Sequence, residues 1–81
     1  MSLPWKLVGD HRDVAILSSR GRDVTVSVFP VRRRGTRDLE WSWRIEVEDR
    51  DTFVAVGTAP TAYEARRRAE ADLLLWQMGI I

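Results

Sequence analysis

Residues 39–48 read LEWSWRIEVE, and apolar and polar side chains alternate through all ten positions. Alternation with a period of two is typical of a β-strand that buries one face and exposes the other to water. Trp41 and Trp43 both belong to the apolar row of this strand. An exposed row of this size would promote aggregation, so we expect at least one of these tryptophans to lie in a hydrophobic core.

Shorter strand patterns surround this segment. Residues 14–19 form a short apolar run, and residues 24–28 alternate with β-branched side chains. Pro30 cannot donate a ladder hydrogen bond, which indicates an edge position or a bulge late in that strand. Residues 53–56 predict another strand, and residues 5–8 a short additional one. The connections are short, so we expect neighbouring strands to run antiparallel as a meander.

The last part of the chain predicts one helix. Thr61, with Glu64 three residues later, has the pattern of a capping box, and Gly79 is a natural stop. Between them, apolar residues recur at helical spacing on one stripe: Ala62, Ala65, Ala69, Leu73 and Trp76. We therefore predict a single α+β domain over residues 1–81, a four- to five-stranded antiparallel β-meander with one C-terminal α-helix packed on one face.

Composition narrows the class of protein. The chain has 81 residues and no cysteine, so disulfides and thiolate metal sites are excluded. No apolar run approaches the roughly 20 residues that a membrane helix needs, so we expect no membrane partner and a cytoplasmic location. Basic residues number 13, with Lys6 the only lysine, against 12 acidic residues. The net charge of +1 gives little support to a general affinity for polyanions.

The predicted helix carries a second stripe, formed by Tyr63, Arg67, Ala71, Leu74 and Met78. A single sheet can cover only one stripe of a helix. Leu74, Leu75 and Met78 are therefore expected to stay exposed unless a protein partner or a second copy meets them, or unless the first residues around Trp5 wrap over this end. We take Tyr63, Arg67, Leu74, Leu75 and Met78 as candidate partner-binding residues.

Two charged hairpin tips are the next candidates. Arg32, Arg33, Arg34 and Arg37 surround Gly35, where the chain must reverse, and Asp49 and Asp51 mark a later turn. A basic tip can contact phosphates or an acidic protein groove, or it can simply keep sheet edges from pairing. The alternative to protein binding is therefore a nucleic-acid-binding module that uses this arginine-rich hairpin, Arg44 on the open sheet face and Arg22.

Residue types suited to catalysis are sparse. His11, in a predicted turn, is the only histidine, and the serines lie in no recognisable nucleophile motif. The acidic turn at Glu46, Glu48, Asp49 and Asp51 lacks the glycine and distal glutamate of a calcium loop, so we expect a solvated turn. The chain is therefore predicted to have no enzymatic activity, no cofactor, no metal and no small-molecule substrate.

The segment WSWRI, followed by GTAPTAYEARRRAEADLL, resembles the closing strand-to-helix segment of small phage and mobile-element proteins, some of them anti-CRISPR proteins. The resemblance covers about the last half of the chain and carries no functional residue. It implies a small inhibitor or adaptor acting in the host cytoplasm. Together with the second helix stripe, it favours a non-enzymatic protein-binding module that acts by occlusion or dimerisation.

Overall fold

The computed structural model describes residues 3–9 and 11–80, and it shows one sheet and one helix. The strands are β1 (Lys6–Val8), β2 (Arg12–Ser19), β3 (Arg22–Arg32), β4 (Leu39–Val47) and β5 (Ala55–Ala59), and helix α1 spans Ala62–Gln77. Neighbouring strands are antiparallel and follow chain order across the sheet. The predicted α+β meander is confirmed, with β1 as the fifth strand. Asp10, in the turn predicted before His11, lies outside the described residues.

One face of the sheet holds the core. Ala15, Val26 and Ile45 stand side by side across three strands, and all are fully buried. Helix α1 covers this face with a buried stripe: Ala65, Ala69, Leu73 and Trp76. The alanines let the first turns approach the sheet closely, and the larger residues fill the far end. We call this side the covered face and the opposite side the open face.

The two tryptophans of β4 both point toward the core. Trp43 is buried, and Trp41 is half-buried against the core cluster, so the expectation that at least one is a core residue is confirmed. Trp43 stands opposite Gly57 on β5. A Cβ atom at Gly57 would lie 2.4 Å from Cζ2 of the Trp43 ring. Glycine is therefore required here because the indole occupies the space of the missing side chain.

Strand β5 lies later in the chain than predicted. The sequence pattern indicated residues 53–56, whereas the strand runs Ala55–Ala59 through Gly57. Pairing with β4 begins where the Val54 N–H donates to the Ile45 carbonyl at 2.9 Å. The strand continues past Gly57 because that glycine is the pairing partner of Trp43, and it is not a break in the strand.

Pro30 lies in β3, which is a central strand. It pairs with Trp41 on β4, but it stands beyond Val28, which pairs with Asp13 near the start of β2. Pro30 has no pairing partner on β2, so its missing N–H interrupts no hydrogen bond between β3 and β2. At this position β3 is therefore an edge on the β2 side, as the proline predicts.

The helix begins and ends where its sequence predicts, but only the Thr61 half of the predicted capping box forms. Thr61 Oγ1 accepts a hydrogen bond from the Glu64 N–H at 3.1 Å, while the Glu64 carboxylate turns to Arg68 at 3.8 Å. At the other end Gly79 has φ +81°. The Gly79 N–H bonds the Trp76 carbonyl and the Ile80 N–H bonds the Leu75 carbonyl, which is the Schellman pattern of helix termination.

The β2–β3 hairpin is tied to this helix end. Its two turn residues, Arg20 and Gly21, have φ +57° and +72°, as a two-residue type I′ turn requires. Arginine is an unusual residue at such a φ. The guanidinium carbon of Arg20 lies 5.3 Å from the centre of the Trp76 ring. Gln77 Nε2 donates a hydrogen bond to Ser19 Oγ at 3.1 Å. The turn therefore brings a cation to the negative end of the helix dipole.

Candidate functional site

The predicted second stripe of α1 is exposed. Tyr63, Leu74 and Met78 are 59%, 50% and 62% exposed, and Ala71 and Arg67 are exposed between them. Arg67 Nη1 donates a hydrogen bond to the Tyr63 hydroxyl at 3.0 Å. This bond raises the pKa of Arg67 above its ordinary value. We call these five residues the helix outer face.

The described part of the leading segment, residues 3–9, does not cover this face. Leu3 is buried in the core, and Trp5 packs against it. Trp5 Nε1 donates to the Glu70 carboxylate at 3.3 Å, so the segment crosses the helix at its Glu70 flank. Leu74 and Met78 remain in contact with water. Residues 3–9 therefore do not wrap over this end of the helix.

Leu75 is only half-buried and does not belong to the helix outer face. Successive helix residues are separated by about 100°, which places Leu74 and Leu75 on different flanks. Arg66 and Glu70 stand four residues apart, a spacing that permits an ion pair along the helix. In the structure Arg66 pairs with Asp13 of β2 because its flank faces that strand, and Glu70 accepts from Trp5.

The arginine-rich hairpin forms one end of the molecule. The backbone closes between the Arg33 N–H and the Asp38 carbonyl at 2.9 Å, and Gly35 has φ +79° at the tip. Arg33 lies 3.5 Å from the Glu40 carboxylate. The other arginines of the hairpin, Arg32, Arg34 and Arg37, are exposed and make no ion pair with any described residue. The tip therefore carries a net positive charge.

The acidic turn lies at the opposite end of β4. Asp49, with φ +68°, and Asp51 are both exposed. The nine residues of β4 separate this turn from the arginine hairpin, a distance of roughly 30 Å. Among residues 3–9 and 11–80, no group of three or more histidine or acidic side chains is placed to hold a metal ion.

Arg22 does not join the arginine hairpin. It begins β3 at the acidic end of the molecule, where it lines a depression with Arg20, Arg50 and Trp76. The nucleic-acid alternative therefore loses this residue from its proposed surface.

The open face carries a cluster that the sequence interpretation missed. The Arg12 and Arg44 guanidinium carbons lie 4.7 and 4.8 Å from the centre of the Phe29 ring, and Arg44 is also 4.9 Å from the centre of the Phe53 ring. Only Arg44 was placed here from sequence. The sequence does contain one indication of this cluster. Val24, Val26 and Val28 alternate onto one face of the strand, so Phe29 belongs to the opposite face.

The part of the chain that the structure describes contains no helix long and apolar enough to cross a membrane. Comparison with protein-family models, curated proteins and solved structures gives no significant match.

Proposed function

We propose that this chain is a non-enzymatic protein-binding module that associates through the helix outer face. The observation that supports this proposal is the uncovered apolar stripe, with Leu74 and Met78 at least half exposed at one end and Tyr63 at the other. Tyrosine, methionine and arginine are all enriched at protein interfaces. An isolated helix stripe with anchors three and four residues apart is also the pattern by which helices dock into apolar surfaces.

A second copy of the chain is the partner we propose. Its helix, antiparallel and related by a two-fold axis near Ala71, would bring Leu74 and Met78 against the half that holds Tyr63 and Arg67. The small side chain of Ala71 permits close approach at the axis. Antiparallel helices also align their dipoles favourably. The half of the helix that holds Tyr63 and Arg67 carries charges of both signs.

The size of the surface sets the strength of the association. A helix of 16 residues is about 24 Å long, and one stripe of it buries less than the roughly 800 Å² per partner of a standard interface. The dimer is therefore expected to be weak and concentration-dependent. A partner protein with an apolar groove would bury more of the same stripe. By filling such a groove, the chain would act by occlusion, as a small inhibitor or adaptor does. If the chain is phage-encoded, this would take place in the host cytoplasm.

Sedimentation velocity over a wide concentration range tests the proposal. The parent should shift toward a dimer as concentration rises, and Leu74→Glu should remain a monomer because a buried carboxylate at the interface is costly. Leu7→Glu is the matched control, since Leu7 is also an exposed leucine but lies on edge strand β1. A parent that stays monomeric up to millimolar concentration, or equal losses in both variants, contradicts self-association through this face.

A further inference from the structure

The open face presents cations held on aromatic rings. Phe29 contacts Arg12 from β2 and Arg44 from β4, and Arg44 also contacts Phe53 from the β4–β5 turn. A guanidinium that lies over a ring is attracted to its π-face and loses side-chain freedom. A guanidinium packed on a ring keeps N–H groups at its own rim, which can donate hydrogen bonds to a ligand.

These two arginines have no acidic partner among the residues that the structure describes. Their cross-strand neighbours are mixed: Arg12 pairs with Val8, and Arg44 pairs with Ser27 on one side and Val56 on the other. Hydroxyls adjoin this centre, since Ser42 pairs with Phe29 and Thr58 with Ser42. Glu46 is the nearest acid on this face along β4, and Glu40, farther up the strand, is engaged by Arg33. Charged and hydroxyl groups at the centre of a surface disfavour burial against another apolar face, but they suit an anionic ligand.

The geometry points to a binding site for single-stranded nucleic acid on the open face. We propose that Arg12 and Arg44 contact phosphates and that Phe53, which is 44% exposed, stacks on a base. This surface lies on the opposite side of the sheet from α1, so the inference is independent of the proposed self-association.

The arginine hairpin extends this surface. β3 and β4 continue beyond the partners of β2, so the tip projects past the edge of that strand. From Arg44, the start of β4 is five residues away, roughly 17 Å along the strand. Positive charge is therefore concentrated on one half of the open face and the adjoining tip, although the net charge of the chain is only +1.

A single strand fits this surface better than a duplex or an acidic peptide. Stacking on Phe53 requires a base with an exposed π-face, which a duplex does not present. An acidic peptide supplies carboxylates for the arginines but no planar ring for the phenylalanine. The aromatic residue therefore decides between ligands that the arginines alone would accept.

Fluorescence anisotropy with a labelled oligo-dT of about 12 nucleotides tests the site. The parent should bind, and its affinity should fall steeply between about 50 and 200 mM salt. The Arg12→Gln/Arg44→Gln double variant should bind about tenfold more weakly, with a salt slope lower by about 0.7 for each arginine removed. Arg50→Gln removes one positive charge from an exposed turn off this face and should bind like the parent.

Phe53→Leu separates stacking from charge. It keeps an apolar side chain at an exposed position, so folding is expected to persist, and binding should weaken about tenfold with the salt slope unchanged. Leu74→Glu, on the helix outer face, should bind oligo-dT normally whether or not the chain dimerises. The proposal is overturned if the parent fails to bind at low salt, if duplex DNA or poly-glutamate binds equally well, or if Arg50→Gln loses as much affinity as the double variant.

Discussion

The two faces of one sheet shield apolar atoms from water in different ways. On the covered face, β-branched residues and Trp43 meet helix α1, and most of these side chains are fully buried. On the open face, no element of the described chain covers the centre of the sheet, and Arg12 and Arg44 lie over Phe29 instead. Helix α1 shields the apolar side chains beneath it permanently. The long cationic side chains on the open face also shield an aromatic ring, but a ligand can still contact them. The same alternation along each strand produces both.

The largest expected difference between the faces comes from two matched isoleucines. Ile45→Ala removes a side chain that is fully buried beneath α1, and it should lower the free energy of unfolding by about 2–5 kcal/mol. Ile16, 66% exposed on the open face, is the control, and Ile16→Ala should change that free energy by less than about 0.5 kcal/mol. Urea denaturation measures both. Similar losses would mean that the open face is buried in solution.

A second prediction concerns the contact of Trp43 with Gly57. Gly57→Ala places a methyl group 2.4 Å from Cζ2 of the Trp43 indole and should destabilise the chain by about 1–3 kcal/mol. In a Trp43→Leu background the same change should cost at least about 0.5 kcal/mol less, because the overlapping ring atoms are gone. A double-mutant cycle of denaturation midpoints measures this coupling. Strictly additive effects would show that the strands separate to accommodate the methyl group.

The cover itself depends on the start of α1. Thr61→Ala removes the oxygen that accepts from the Glu64 N–H and should lower stability by about 1 kcal/mol. Thr52→Ala is the matched control, because Thr52 is exposed in the β4–β5 turn. The two variants can be compared by thermal unfolding followed by far-UV circular dichroism. Equal midpoints would argue that packing on the sheet, and not the cap, holds the first turn.

The smallest effect is expected at the ion pair between helix and sheet. Arg66 and Asp13 are about one third or less exposed, so Arg66→Gln should cost about 0.5–1 kcal/mol, with less effect at high salt. Arg50→Gln, at an exposed turn position, should be near neutral. Unfolding in low and high salt distinguishes them, and a loss that salt leaves unchanged would point to packing of the Arg66 stem instead of charge.

The sequence predicts those parts of the fold that one local pattern determines. β4 follows from its unbroken alternation, and α1 from a cap, a stripe and a glycine stop. The position of β5 did not follow, because it depends on Gly57 meeting Trp43 across two strands. The arginine–phenylalanine cluster was missed for the same reason. Arg12, Phe29 and Phe53 come from separate segments, and only strand register brings them together.

Arg68 has a consequence for the width of the sheet. Its Nη1 donates at 3.0 Å to the carbonyl of Thr58 on β5, which is the outer strand on that side. An outer strand with free carbonyls is a template on which a foreign strand can add and fibrils can grow. Because Arg68 occupies one of these carbonyl acceptors, the helix also hinders the addition of a foreign strand to β5.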